Sequence, residues 1–297
     1  MTQSGRWFFG VLLTRIMKRP EGNMPYRHAK YFVGFALVVI VVGFWESYFV
    51  PIAKVPTAFH VHAFTAITWV VLLLLQDWSI RSRRRNLHKI GGMLSLFLFP
   101  FLIVGFIMII NVSAAGYVAN KSEFARFLGP SFGLSMMIAV MAYLTLYYLA
   151  LKNRRNVRLH AGYMLTTPLI LFESPFSRII LDDMPFLIFT GSEFPQRVLD
   201  AIVIAMVISI AFALVFYLRD RKTGTPFLVA AGFLLVESVC MYVGASIEWV
   251  RLGFEAYAHI PTALTLLVGF LLGAAISWFG WKSIDRRGPQ TVAASPP

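Results

Sequence analysis

Eight apolar stretches, each about as long as a bilayer is thick, dominate this sequence of 297 residues. They are Tyr31–Val50, Ala58–Asp77, Ile90–Val112, Phe127–Leu151, His160–Leu181, Val198–Leu218, Phe227–Val250 and Ile260–Trp281. About 20 apolar residues in a helix cross a hydrocarbon core about 30 Å thick. Strands of a membrane barrel would instead show segments of about 10 residues that alternate in polarity. The sequence therefore predicts an all-α, polytopic transmembrane bundle of about eight helices over residues 31–283.

Composition excludes most other classes of protein. The chain is 58% apolar and 14% charged, whereas soluble domains are about 45–50% apolar and about 25% charged. A single cysteine, Cys240, excludes a disulfide scaffold and cysteine-rich metal sites. The sequence also contains no GxGxxG, GxxxxGK[ST], HExxH or CxxC motif, so nucleotide-binding, zinc-protease and dithiol chemistry have no support.

The formal charge of +13 indicates an orientation in the membrane. Of the 27 lysines and arginines, 21 lie in the N-terminal segment, in the second, fourth and sixth connections and after the last span. Because cytoplasmic loops carry an excess of basic residues, both termini are expected in the cytoplasm of a bacterial inner membrane. The basic residues would meet anionic lipid headgroups there, and they give no reason to expect nucleic acid as a partner.

The two ends of the chain are expected to lie outside the bundle. Residues 1–30 form a basic cytoplasmic segment, in which Trp7, Phe8, Val11, Leu12 and Ile16 would make the apolar face of an interfacial helix. A disordered arm is the alternative. Residues 284–297 have the composition of a disordered tail. The segment 179–196 mixes apolar and acidic residues and is expected to lie along the outer membrane surface.

Ionisable residues within spans are costly and by default indicate function. Four acidic residues are therefore candidates for a substrate or proton path: Glu46, Glu173, Glu237 and Glu248. Helical spacing places Glu237 and Glu248 on one stripe with Gly244 and Arg251. Pro168 and Pro175 flank Glu173 and predict a break in the fifth span. The alternative is a purely structural pairing of Glu173 or Glu237 with Arg178.

The histidines form a second candidate set. His88 and His160 open two spans on the inner side, whereas His62 and His259 lie near the outer side. Two histidines at matching depth are what a haem b iron needs as axial ligands. His60 and His62 point about 200° apart on a helix and cannot share one ion, and His62 shares a stripe with Trp69 and Gln76. Four histidines are also candidates for binding haem iron or another metal: His60, His62, His88 and His160. Hydrogen bonding at the membrane interface is the alternative role.

A short repeat supports the inner pair. Arg84-Arg85-Asn86-Leu87-His88 precedes Gly91, and Arg154-Arg155-Asn156 precedes Leu159-His160 and Gly162. A duplicated helical hairpin would place the two histidines at equal depth on helices of the same direction.

Residues 58–181 resemble known families in their motifs. The pattern runs FHVHAFTAITWVVLLLLQ, then RRRNLHKIGG, then RRNVRLHAGYMLTTPLILFESPFSRI. It resembles uncharacterised bacterial multi-pass membrane proteins of the DUF2306 type and the four-helix core of the cytochrome b561 type. The matching positions are His60, His62, Trp69, Gln76, His88, Gly91, His160, Met164 and Arg178. Lys89 and Ala161-Gly162-Tyr163 depart from the pattern. The resemblance implies at most a b561-like redox protein and supplies no substrate.

Three functions follow as hypotheses. The first is a haem b protein for electron transfer or redox sensing, with His88, His160, His62 and His259 as ligands and Arg178 beside a propionate. It would be an enzyme only as a membrane oxidoreductase, with quinone or another membrane subunit as partner. The second is a proton-coupled transporter or small-molecule-binding protein that uses Glu46, Glu173 and Glu237. The third is a non-catalytic subunit of a larger membrane complex.

Overall fold

The computed structural model describes residues 25–184 and 193–283, which form α-helices joined by short connections. The α-helices are α1 (Ala29–Gly43), α2 (Thr57–Arg81), α3 (Arg85–Val118), α4 (Glu123–Lys152), α5 (Val157–Asp183), α6 (Gln196–Arg219), α7 (Thr225–Val243), α8 (Glu248–Ala258) and α9 (Thr262–Lys282). Seven of the described helices are long and apolar enough to cross a membrane. The predicted all-α transmembrane bundle is confirmed. The predicted interfacial helix before residue 25, the tail after residue 283 and residues 185–192 lie outside the described residues.

The first predicted span is shorter as an α-helix than the sequence suggests. α1 has 15 residues and is followed by a π-helical turn, Trp45–Phe49, and a 3₁₀ turn, Ile52–Lys54. The tyrosine at the end of this π turn, Tyr48, bonds His60 at the start of α2. Arg81, at the other end of α2, donates to the carbonyl of Tyr26 just before α1, at 2.7 Å. α1 and its π turn together therefore run the full length of α2.

The predicted end of the seventh span, at Val250, is wrong. α7 stops at Val243, a 3₁₀ turn covers Gly244–Ser246, and Glu248 begins the separate helix α8. Ser131 of α4 accepts a hydrogen bond from the amide of Ala245 at 2.6 Å and fixes the turn. The predicted stripe from Glu237 to Arg251 is broken here, because Glu248 and Arg251 are both exposed on α8.

The predicted break in the fifth span is also wrong, since α5 is continuous through both prolines. Pro168 has no amide hydrogen for the carbonyl of Met164, four residues earlier. The hydroxyl of Thr167 donates to that carbonyl instead, at 2.8 Å. A neighbouring side chain thus replaces the missing backbone bond, which is how membrane helices commonly tolerate proline.

α4 lies at the centre of the bundle and packs against α3, α5, α7 and α9. Its buried face is rich in small residues, which allow helices to approach closely: Ala125, Gly129, Ser131, Gly133, Ser135, Ala139 and Ala142. A Cβ atom on Gly133 would overlap the ring of Phe254 from α8. α1 packs on α5 and α2, and α6 packs on α5 and α7.

Aromatic side chains fill the space between α2, α3 and α4. Trp69, Phe99 and Tyr147 have no exposed surface. The Phe99 and Tyr147 rings stack at 4.1 Å between centroids, and Trp69 meets the Tyr147 ring edge to face at 5.3 Å. Such rings combine a large buried area with a specific geometry, so this cluster fixes how the three helices pack.

The basic connections all lie at one end of the bundle, here called the basic end. Arg158 at the start of α5 pairs with Asp220 after α6 at 2.9 Å. Arg154 after α4 stacks on Trp281 near the end of α9 at 4.6 Å. Tyr26 contacts Phe227 at the start of α7, with ring centroids 5.7 Å apart. The opposite end is called the far end.

A Gly43→Ala substitution tests the contact that ends α1. An added Cβ would overlap the carbonyl group of Pro175 on α5, and overpacking of this kind costs about 1–3 kcal/mol. We expect a lower midpoint of thermal unfolding in detergent. Gly34→Ala on the same helix is the control, because a Cβ there meets no atom within 4 Å, and it should leave the midpoint unchanged or raise it. Equal loss in both variants would contradict this packing.

Candidate functional site

The far-end pocket is a cavity of about 380 Å³ between the end of α1, the connection to α2, the start of α2 and the end of α5. Its walls are mostly apolar and aromatic. The polar side chains that line it are Ser47, Tyr48, Lys54, His62, Ser174 and Arg178. A mostly apolar cavity of a few hundred Å³ with a few polar groups is typical of a small-molecule site.

Two departures from regular helix shape the pocket. The π turn after α1 brings Tyr48 and Phe49 into its wall, and π-helical turns are frequent at functional sites. On the opposite wall, Pro175 has no amide hydrogen for the carbonyl of Leu171. Leu171, Ser174 and Pro175 all line the cavity. Backbone irregularity is thus concentrated where the protein encloses space, as expected within a membrane.

Arg178 is the partly buried cation of the pocket, whereas Lys54 is exposed. One guanidinium nitrogen donates to the carbonyl of Ser174 at 2.6 Å and meets the Ser174 hydroxyl at 3.1 Å. The guanidinium also stacks over Phe44 at 4.6 Å. Among the described residues, no carboxylate lies within 4 Å of it; Glu173 and Asp182 act on it electrostatically from further away. The structural ion pair that the sequence left open as an alternative is therefore not formed in the described part of the chain.

The two histidines at the start of α2 have separate environments, as their spacing predicts. His60 Nδ1 lies 2.9 Å from the hydroxyl of Tyr48. His62 lines the pocket, its ring is 5.0 Å from that of Phe106, and its Nδ1 is buried without a hydrogen-bond partner. The pocket therefore contains two cations, the exposed Lys54 and the partly buried Arg178, together with an imidazole whose Nδ1 is buried.

Glu237 lies deeper in the bundle and is only 3% exposed. Its Oε2 has no hydrogen-bond partner, and it interacts electrostatically with Glu173 on α5 and with Tyr143 on α4. The hydroxyl of Tyr143 is also buried without a hydrogen bond of good geometry, although it interacts with the side chain of Thr167. Because unpartnered buried polar groups cost free energy and are rare, this pair is a candidate for function.

Thr167 and Trp69 connect α5 to α2 beside Tyr143. Trp69 Nε1 donates to Thr167 Oγ1 at 2.9 Å. Trp69 follows His62 by seven residues on α2, which places it about 10 Å further toward the basic end. Gln76, seven residues further still, donates to the carbonyl of His88 at 3.1 Å. The stripe of His62, Trp69 and Gln76 thus faces the protein interior along the whole of α2.

The structure brings the inner histidines together. His88 and His160 are each the fourth residue of their helix, α3 and α5, and they interact electrostatically. His160 Nδ1 is 2.9 Å from the carbonyl of Ala150, and His88 Nδ1 is buried without a partner. A carbonyl bond of this type fixes the tautomer and leaves Nε2 available to a metal. These donors suit a haem iron, although neither histidine lines the far-end pocket or the larger groove described below.

The remaining sequence candidates lie apart from these sites. His259 is exposed at the end of α8 and does not line the far-end pocket that His62 lines. Glu46 is exposed on the π turn and does not line the far-end pocket. Among the described residues, no group of three or more His, Cys, Asp or Glu side chains is arranged to hold a metal ion.

Sequence reasoning did not single out Tyr143 and Ser174. Tyr143 was detectable, because a tyrosine near the middle of an apolar span needs a polar partner for its hydroxyl. Ser174 accepts the hydrogen bond of Arg178 with its backbone carbonyl, and a pattern of side chains in the sequence cannot predict such a contact. Comparison with models of known protein families, with curated proteins and with solved structures finds no match to this chain.

A Thr167→Val substitution tests the bond that connects α2 to α5. It removes the acceptor of Trp69 Nε1 and the donor to the freed Met164 carbonyl, and each unpartnered buried group costs about 1–3 kcal/mol. Thr166→Val is the control, because Thr166 is equally buried but bonds only the carbonyl of Tyr163 in its own helix. We expect a clearly lower unfolding midpoint for Thr167→Val than for the control. Equal midpoints would contradict the role of Thr167.

Proposed function

We propose that this chain is an integral membrane protein that binds a small anion in the far-end pocket and couples that binding to a proton on Glu237. The observation that carries the proposal is the guanidinium of Arg178, which lines an apolar cavity with no carboxylate within 4 Å among the described residues. Removing a cation from water costs several kcal/mol unless a counter-charge is supplied. A bound anion supplies it.

The chemistry of the pocket favours a carboxylate or phosphate group. The planar guanidinium presents paired donors that match such groups, and within the described part of the chain only one of its nitrogens is bonded. Apolar walls strengthen each polar contact by lowering the local dielectric constant. His62 provides a second donor, and the aromatic walls exclude water from the remainder of the ligand.

Orientation follows from the charge at the two ends. The basic end belongs in the cytoplasm by the positive-inside rule, which places both termini there and the far-end pocket at the outer face of a bacterial inner membrane. Anionic lipid headgroups of the cytoplasmic leaflet are the expected partners of the basic loops.

Glu237 is the group that exchanges the proton in this proposal. A carboxyl group enclosed in an apolar interior responds strongly to nearby charge. Glu173 connects the pocket and Glu237 electrostatically, because it interacts with both Glu237 and Arg178. An anion that neutralises Arg178 changes the charge around Glu173, and through Glu173 it changes the proton affinity of Glu237.

Anion binding is tested by thermal unfolding at constant ionic strength, with succinate, citrate, sulfate and phosphate compared with chloride. A ligand that binds only the folded state raises its stability, so we expect at least one of these anions to raise the midpoint of the wild type. Arg178→Gln should abolish the increase, and Arg178→Lys should retain part of it. Arg126→Gln is the control, because Arg126 is exposed and stacks on Phe127 outside the pocket. An increase that survives Arg178→Gln would contradict the proposal.

Proton coupling is tested in proteoliposomes that contain a pH-sensitive dye, with the anion identified above. We expect addition of that anion to drive proton movement in the wild type and in Glu248→Gln, since Glu248 is exposed. Glu237→Gln should bind the anion normally but move no protons. Proton movement that persists in Glu237→Gln would contradict the coupling and would leave anion binding intact.

A haem b protein of the cytochrome b561 type is the second candidate, and the pairing of His88 with His160 favours it. The two imidazoles would hold the iron, and the haem would supply one-electron chemistry, with a membrane quinone as a suitable partner. A reduced-minus-oxidised visible spectrum of the purified protein tests this. We expect a Soret and an α band that His88→Ala and His160→Ala each remove and that His28→Ala, an exposed residue at the same end, retains. A protein expressed with adequate haem that shows no bands would contradict it.

A further inference from the structure

A second cavity is a groove along the side of the bundle, here called the lateral groove. It has a volume of about 680 Å³ and lies between α1 and α6, with α5 as its floor. Leu165, Pro168, Leu169, Phe172 and Phe176 of α5 form that floor. The far-end pocket lies on a different side of α5, so the two cavities are separate.

The groove is open along one side. Its deep residues are buried, with Val33 at 5% and Ser209 at 1% exposed, whereas its rim residues Phe32, Phe35 and Ile208 are 41–56% exposed. Among the described residues that line the groove, Ser209 is the only polar side chain away from the basic end. Its hydroxyl donates to the carbonyl of Ala205. An unfilled cavity of this kind would forfeit dispersion contacts on every wall. The groove therefore requires a long apolar occupant that enters from the side.

Charge at the basic end of the groove defines the polar part of that occupant. Arg27, His28 and Arg219 line this end and are exposed. Tyr26 also lines it; burial and the nearby Asp220 carboxylate raise the pKa of Tyr26 to about 12, so its hydroxyl is neutral. Asp220 is itself paired with Arg158 at 2.9 Å. The mouth is thus positively charged, and it lies at the level where headgroups of the proposed cytoplasmic leaflet would be.

We propose that the lateral groove is a specific site for an anionic phospholipid, with one acyl chain along α5 and the phosphate between Arg27 and Arg219. The apolar length accommodates the chain, and the two arginines select the headgroup charge. Each basic residue near an anionic headgroup contributes about a fivefold increase in affinity. The site does not depend on the anion pocket or on Glu237.

Native mass spectrometry of the full chain in detergent tests the site, with dioleoyl phosphatidylglycerol and dioleoyl phosphatidylcholine as probes. We expect one phosphatidylglycerol molecule to be retained by the wild type at concentrations where phosphatidylcholine is not. Arg27→Gln and Arg219→Gln should each weaken that binding about fivefold. Arg221→Gln is the matched control, because Arg221 is exposed two residues from Arg219 but does not line the groove.

Filling the groove tests the acyl-chain part separately. Ile208→Trp adds side-chain volume at the rim of the groove. Ile208 is 41% exposed, so the larger side chain does not have to enter the packed core. Val207→Trp is the control, because Val207 is 54% exposed and outside the groove. We expect loss of bound phosphatidylglycerol only in Ile208→Trp, with both variants monodisperse. Equal retention of the two lipids by the wild type, unchanged binding in Ile208→Trp, or displacement of the lipid by a neutral quinone at equal concentration would overturn the proposal.

Discussion

Every polar group inside this bundle has to be satisfied by the protein, because neither its apolar core nor a bilayer offers water. One side chain often serves two such groups. Thr167 accepts from Trp69 and donates to the carbonyl that Pro168 leaves free. At the far end, Asn111 bonds both Tyr257 and Thr265, which holds α3, α8 and α9 together. Among the described residues this rule is broken at six side chains: His62, His88, Ser113, Tyr143, Glu237 and Ser277.

Three of these exceptions, His62, Tyr143 and Glu237, lie with the cation of Arg178 along one path through α2, α4, α5 and α7. The path begins at the far-end pocket and continues to Glu237 in the core. It uses the side of α5 that faces α2 and α7, whereas the lateral groove uses the side that faces α1 and α6. α5 therefore separates a polar route from an apolar one, and its two prolines lie where it borders these cavities.

Much of this organisation could be predicted from the sequence, because hydropathy and charge act over whole helices. Long apolar runs require helices in a membrane, and the basic connections do lie together at one end. The stripe of His62, Trp69 and Gln76 could be predicted as inward-facing, since polar side chains at seven-residue spacing share one face. The equal positions of His88 and His160 in α3 and α5 followed from the repeated Leu-His motif.

The errors arise where one contact overrides a local pattern. The predicted seventh span runs on to Val250, past the 3₁₀ turn that ends α7, and the bond from Ala245 to Ser131 fixes that turn. Two prolines predict a broken helix unless the partner of each freed carbonyl is known.

The orientation proposed for the bundle is tested most directly by cysteine labelling in a Cys240→Ala background. In intact cells, a membrane-impermeant maleimide should label Lys54→Cys beside the far-end pocket, and should label Ser82→Cys at the basic end only after permeabilisation. Labelling of Ser82→Cys alone in intact cells would place the pocket on the cytoplasmic side and contradict the account.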